Sequence, residues 1–258
     1  MTDPELKAKF IRRFQERRFD HYARQEFMTP GVEEVLQLIG ERCSPGGARI
    51  LEVAPGKGEA ACRLAERHGA RVLGVDVMPM FARDATRKAR ARRVADLVSI
   101  ALGDGARLPV ASGVFDGAYC TGSPQIAGGD ACLGEMHRAL KPGAWLAVSD
   151  WVWRTRPVPP EMVPPAVRVE QFMLLEEYAT WLRDAGFEIV LAQTLPPQVW
   201  YGYYGPMLEA IEDVRRAHPH DPEAQRWADD SYANEPRFWY ETAARDYWSY
   251  AVFLGRKC

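Results

Sequence analysis

The sequence lacks the features that most readily fix a protein's class. Its five cysteines, Cys43, Cys62, Cys120, Cys132 and Cys258, are scattered and form no C-x-x-C pair. An odd count with no spacing framework, behind a charged rather than apolar N-terminus, predicts reduced thiols and a cytoplasmic setting. No apolar run approaches the roughly 18 residues that suggest a membrane span, so no membrane is expected as a partner. The histidines show no metal spacing. Their one cluster, His218-Pro219-His220-Asp221, is interrupted by proline and reads as a surface turn, so no metal is expected. A net charge of −2 argues against a protein whose work is to neutralise phosphates, and nucleic acid is not expected as a partner. Tryptophan is absent from the first half of the chain. All eight tryptophans and eight of the ten tyrosines lie from Trp145 onward.

What is present is organised around Ile50-Leu51-Glu52-Val53-Ala54-Pro55-Gly56-Lys57-Gly58-Glu59-Ala60. The first half reads as a short buried strand ended by a Pro-Gly turn, and the second as the start of a helix with Ala60, Leu64 and Ala65 at helical spacing. Two glycines at a strand-to-helix turn let the backbone pass close to a ligand and aim N–H groups at it. Gly56-x-Gly58-x-x-Ala61 also satisfies a relaxed dinucleotide fingerprint, so the turn alone does not choose between cofactors.

From there strands and helices alternate. Strands are expected at Arg71–Asp76, Leu97–Leu102, Val114–Cys120 and Ala144–Trp151, with helices over Met80–Val94 and Ala131–Leu140. Such alternation implies parallel strands with right-handed crossovers, helices on both faces, and a ligand at the carboxyl ends of the strands. Upstream, residues 3 to about 27 read as one helix with a basic solvated face, followed by a second helix over Val32–Cys43. Downstream, the proline-rich stretch Arg154–Pro165 reads as a surface connection. A helix over Gln171–Ala185 and strands over Phe187–Leu195 and Tyr247–Leu254 follow.

The strand ends carry residues that can bind a nucleotide-like molecule. Asp76 ends the second strand 18 positions beyond Gly58, where an acid can accept hydrogen bonds from ribose hydroxyls. Asp104, after the third strand, can accept from an exocyclic amine or serve only its own Asp-Gly turn.

In combination these residues resemble the class I S-adenosylmethionine-dependent methyltransferases, especially the small-molecule branch of ubiquinone/menaquinone-biosynthesis type. The family's acid-x-Gly-x-Gly-x-Gly motif corresponds to Glu52-x-Ala54-x-Gly56-x-Gly58, with alanine in place of the first glycine. Gly103 to Pro109 matches its Gly-Asp-Ala-x-x-Leu-Pro motif, with Gly105 where alanine is usual. Phe115-Asp116 resembles its fourth-strand motif, and Arg138-x-Leu140-Lys141-Pro142-Gly143 its turn before strand five. The matches run in order over about residues 45 to 152.

The resemblance implies an α/β, Rossmann-like sheet of seven strands, six parallel and an antiparallel seventh between five and six, with a helical lid insertion. It implies S-adenosylmethionine as cofactor and S-adenosylhomocysteine as product. Glu52 would order the loop under the cofactor's amino-acid end, and Ala54, Gly56 and Gly58 would form that loop. Asp76 would hold the ribose and Asp104 the adenine amine. Val77, Met78 and Gly105 would line the adenine, while Cys120 and Thr121 would face the methionine end. The implied organisation is N-terminal helices over 1–44, a cofactor-binding core over 45–195, an aromatic insertion over 196–245 and a last strand over 246–258.

The insertion has two readings: a lid whose aromatics wall an acceptor, or a satellite core or homodimer contact. It also looks like the late insertion of some bacterial methyltransferases. Candidate pocket residues are Tyr22, Ser123, Trp151, Trp200, Tyr201 and Tyr204. His21, Tyr22, Glu26 and Asp150 are candidate proton acceptors, though each also has a structural reading. The chain after strand four reads Cys120-Thr121-Gly122-Ser123-Pro124, unlike the Pro-Pro-aromatic motif of nucleobase amino-methylating enzymes, which favours a small-molecule acceptor. Two alternatives stay open: a nicotinamide-dependent oxidoreductase and a non-catalytic cofactor-binding protein of the same fold. Against the first, no tyrosine has a lysine four positions on. A Gly-x-Ser-x-Gly hydrolase elbow is also absent.

Overall fold

In the computed structural model the described residues are 8, 11–12, 18–163 and 172–258. Most of the helix expected at the N-terminus, and the end of the proline-rich connection, lie outside them. Residues 18–30, where that helix was expected to end, are turns and bends.

Helix α1 (Val32–Arg42) precedes β1 (Arg49–Val53), whose last four residues are all buried. Then come α2 (Glu59–His68), β2 (Arg71–Asp76), α3 (Pro79–Ala91) and β3 (Val98–Leu102). β4 (Phe115–Thr121), the short α4 (Pro124–Ala127) and α5 (Asp130–Ala139) lead into β5 (Leu140–Trp153). The chain continues with β6 (Met173–Leu174), α6 (Leu175–Asp184) and β7 (Phe187–Thr194). The insertion consists of α7 (Gln198–Ala217), α8 (Pro222–Asn234) and α9 (Pro236–Glu241), and β8 (Trp248–Lys257) closes the sheet.

The sheet order is β3-β2-β1-β4-β5-β8-β7, with two-residue β6 paired to the far end of β5. β8 runs antiparallel to both β5 and β7, and the first five strands are parallel. This is the expected seven-stranded topology with one short strand added. Strand order reverses between β1 and β4, the place where an open α/β sheet binds its ligand. A buried apolar cluster covers each face of the sheet. One contains Ile50, Leu64, Val72 and Tyr119, the other Leu51, Val75, Leu146 and Phe253. The alternation of β1 explains this split, since Ile50 and Leu51 point to opposite faces.

β5 is longer than expected and carries Trp151 and Trp153 beyond its pairing with β4, which ends at Ser149. There Trp151 stacks on Trp248 at 4.6 Å, and Trp200 of α7 stacks on Trp239 at 5.0 Å. The same cluster takes in Tyr204, Met207 and Ile211 of α7. This face repeats at three- and four-residue spacing, so α7 is first of all a core helix. Asp221 caps α8 by accepting from the N–H groups of Glu223 and Ala224, so the His218–Asp221 stretch is the expected surface turn. All five cysteines are free thiols. No helix among the described residues is long and apolar enough to cross a membrane.

Candidate active site

A cavity of about 970 Å3 opens at the carboxyl ends of β1, β2, β4 and β5. Its floor is the loop after β1. Ala54, Gly56 and Gly58 have φ values of 57°, 51° and 73°, the left-handed region that glycine enters freely and alanine enters at a cost of roughly 1–2 kcal/mol. The alanine substituted into the motif thus keeps a glycine-like backbone. Ala54 N–H donates to the carbonyl of Val75 at 2.9 Å, which ties the loop to β2.

Asp76 fastens the loop from the other side. Its carboxylate accepts from Gly56 N–H at 3.1 Å and from Met78 N–H at 2.8 Å. Burial raises its pKa above the usual carboxylate range, and the two backbone donors partly offset the rise. Glu52, 2% exposed, lies in the same floor, and its Oε2 has no hydrogen-bond partner. Burial lifts its pKa to about 8, with the Tyr119 hydroxyl lowering it and the charge of Asp76 raising it further.

Of the remaining expected cofactor residues, Val77, Met78, Gly105 and Thr121 line the cavity. Three do not. Cys120 is fully buried, because its side chain points into the core cluster behind β4. Asp104 is not among the lining residues, and its Oδ1 accepts from Ala106 N–H at 2.9 Å within its own turn. Gly58 is bare for a different reason than ligand approach, since a Cβ there would lie 2.5 Å from Ala85 Cβ of α3.

The expected acceptor residues divide in the same way. Tyr22, Ser123 and Trp151 line the cavity, as do His21, Glu26 and Asp150. Trp200 and Tyr204 do not, being 1% and 0% exposed within the aromatic cluster, and Tyr201 faces outward at 49% exposure. In their place the cavity is walled by Tyr203 and by one face of α8: Arg226, Trp227, Asp230, Ser231 and Asn234, with Glu235 beyond its end. These positions recur at i, i+4 and i+8, a spacing visible in the sequence but indistinguishable there from a wet helix face.

Residues 18–30 complete the enclosure. Lys57 Nζ donates to the carbonyls of Tyr22 and Gln25, and Gln25 Nε2 donates to the carbonyl of Tyr203 at 2.7 Å. Arg18 pairs with Asp221 and Glu223, and Arg24 with Glu209 and Asp213. Phe19, His21 and Trp227 form an aromatic group, with Phe19 5.3 Å from Trp227 and the rings of His21 and Trp227 stacked at 6.3 Å.

Asp150, at the end of β5, is 7% exposed. It accepts from Trp151 N–H at 2.8 Å and from the Tyr178 hydroxyl at 3.1 Å. No cluster of side chains able to hold a metal occurs among the described residues. The site therefore combines a left-handed loop, two buried acids and backbone donors on one side with an aromatic and polar chamber on the other. That donor set suits a nucleoside carrying an amino acid and a positive charge. Glu52 offers a carboxyl oxygen with no hydrogen-bond partner, and Asp76 keeps lone pairs beyond its two backbone bonds.

Known proteins carry the same pattern. Residues 51–148 match the methyltransferase domain family. The protein YjhP of Escherichia coli is 29% identical over 86% of this chain and 88% of its own. The demethylmenaquinone methyltransferase of a Parafrankia strain is 36% identical over 42% of this chain and 49% of its own. An S-adenosylmethionine-dependent methyltransferase from Thiobacillus denitrificans, solved with S-adenosylhomocysteine, superposes with a TM-score of 0.77. It is 26% identical and covers 92% of this chain and 96% of its own. Together the matched domain, the sheet order and the S-adenosylhomocysteine-bound neighbour support a class I S-adenosylmethionine-dependent methyltransferase.

Proposed function

We propose that the enzyme moves a methyl group, by in-line displacement, to a small molecule held under α8 and residues 18–30. The observation that carries this reading is the continuity of the cavity. At about 970 Å3 it is at the upper end of the 300–1,000 Å3 usual for ligand sites, room for a cofactor and an acceptor together. Its cofactor half is the loop fastened by Asp76, and its acceptor half is aromatic and polar.

Bound S-adenosylmethionine supplies an activated methyl group on a sulfonium. The chain's own residues position and enclose. Gly56 and its neighbours present backbone to the amino-acid end over Glu52, while Asp76 receives the ribose hydroxyls. Val77, Met78 and Gly105 flank the adenine, and Thr121 faces the methionine end. Tyr22, Ser123, Trp151, Tyr203 and Trp227 hold the acceptor in line and keep water out. In well-oriented systems such alignment contributes up to ~7–11 kcal/mol. The free cysteines support a reducing, cytoplasmic setting.

The test is incubation with methyl-labelled S-adenosylmethionine and a cell extract separated into metabolites, protein and nucleic acid. Label is expected in the metabolite fraction. Label confined to bulk RNA or DNA would overturn the small-molecule reading.

A further inference from the structure

The acceptor half of the cavity has a definite electrical character. Acids line it from two directions: the buried Asp150 from the sheet, and the half-buried Glu235 with the exposed Asp230 at the rim from the insertion. Two permanently cationic side chains line the whole cavity among the described residues, Lys57 and Arg226. Lys57 is held by the carbonyls of Tyr22 and Gln25, and Arg226 sits at the exposed rim one helical turn from Asp230, which is exposed there too, so the carboxylates of Asp150 and Glu235 set the sign deeper in. Asp150 has neutral donors, Trp151 N–H and Tyr178 OH, rather than a cation. Around these acids stand Phe19, Tyr22, Trp151, Tyr203 and Trp227, whose ring faces attract positive charge. Such a chamber repels carboxylates and phosphates, and its negative field opposes ionisation of a phenol. It favours a ligand that arrives as a cation.

Resting on the methyltransferase reading, we propose that the methyl acceptor is an amine carried on an apolar frame, and that Asp150 takes the proton its nitrogen must lose. The ammonium gives one N–H proton to the Asp150 carboxylate. The freed nitrogen lone pair forms the bond to the methyl carbon while the carbon–sulfur bond breaks and leaves its electron pair on sulfur. The products are the methylated ammonium, a neutral thioether and a protonated Asp150, which returns its proton to water when the cavity opens. Charge is conserved, and no further reactant is needed.

The surroundings of Asp150 suit this exchange. Burial raises its pKa to about 7, with the Trp151 and Tyr178 hydrogen bonds partly offsetting the rise. The titratable groups facing it are Cys120 on β4, Tyr178 on α6 and Tyr250 on β8, each pushed well above its ordinary value by burial and so uncharged at neutral pH. An acid poised near the working pH exchanges protons most effectively. An entering ammonium favours its ionised form, so amine binding at neutral pH expels a proton from the fraction of molecules in which Asp150 is protonated.

The experiment uses the full chain saturated with S-adenosylhomocysteine, titrated calorimetrically at pH 7 with three probes of one shape: 2-phenylethylamine, 2-phenylethanol and 3-phenylpropionate. Repeating each titration in buffers of different ionisation heat counts the protons released. The amine is expected to bind about tenfold more tightly than the alcohol, and the carboxylate most weakly. Amine binding should release a measurable fraction of a proton from wild type and clearly less from Asp150→Asn. The amine's advantage should fall at least about threefold in a variant combining Asp230→Asn and Glu235→Gln. Equal or tighter binding of the alcohol or carboxylate overturns the proposal, as does amine binding without proton release or no amine binding at all. A protein that binds NADH but not S-adenosylhomocysteine fails earlier, and that result overturns the methyltransferase reading itself.

Discussion

Asp76 and Gly56 are joined by a hydrogen bond of 3.1 Å from the glycine N–H to the aspartate Oδ2. The acid at the end of β2 thus sets the loop at the end of β1, besides facing the cavity. Asp76→Asn should weaken S-adenosylhomocysteine binding about tenfold or more, because an amide accepts at one position where the carboxylate accepts at two. Hydrogen exchange at Gly56 should quicken in the same variant. Weaker binding with unchanged exchange would mean that the buttress is unimportant and only ligand contact was lost.

The loop's second glycine makes a different demand. A Cβ at Gly58 would press on Ala85 at 2.5 Å, and its φ of 73° strains any other residue. Gly58→Ala should cost about 2–4 kcal/mol in denaturant unfolding, and Ala85→Gly in the same chain should recover part of it. No recovery would show that the backbone angle, not the packing of α3, sets the requirement.

Glu59, at the start of α2, is 5% exposed and bonded by Arg63, Lys88 and Arg92. Burial alone would raise its pKa, but these three partners together bring it down to about 2. A depressed carboxyl stabilises the fold above its unfolded value near 4.3, and that contribution is lost as the pH falls toward 2. Glu59→Gln should therefore cost about 2 kcal/mol at pH 7, with the difference from wild type closing between about pH 4.5 and 2. A difference that does not change across that window would contradict the ion-pair account.

Two tryptophans of the insertion should behave in opposite ways. Trp200 is 1% exposed among Trp151, Trp239 and Trp248, so Trp200→Ala should cost about 3–5 kcal/mol of stability. Trp227 lines the cavity, and Trp227→Ala should cost about 1 kcal/mol while weakening acceptor binding. Melting curves of the two variants decide the matter.

This contrast marks the limit of what the sequence makes legible. The parallel core could be read because each strand is an apolar run ended by Gly, Pro or Asp, and because Asp76 follows the glycine turn at the spacing a ribose site needs. Composition made the insertion visible, but not its orientation. Trp200 and Tyr204, four residues apart, share a helix face, and nothing local says whether that face meets a substrate or Trp248. The wall that does meet the cavity is polar, and Arg226, Asp230 and Asn234 look in sequence like solvated helix positions. Asp104 carries two readings in the sequence, and the hydrogen bond from Ala106 N–H to its Oδ1 shows the turn without deciding the adenine role.

The most direct test is calorimetric titration of the wild-type chain with S-adenosylhomocysteine and, separately, with NADH. A single site for the thioether is expected, abolished or strongly weakened in Asp76→Ala, and no heat from NADH. Saturable binding of NADH without binding of S-adenosylhomocysteine would contradict it.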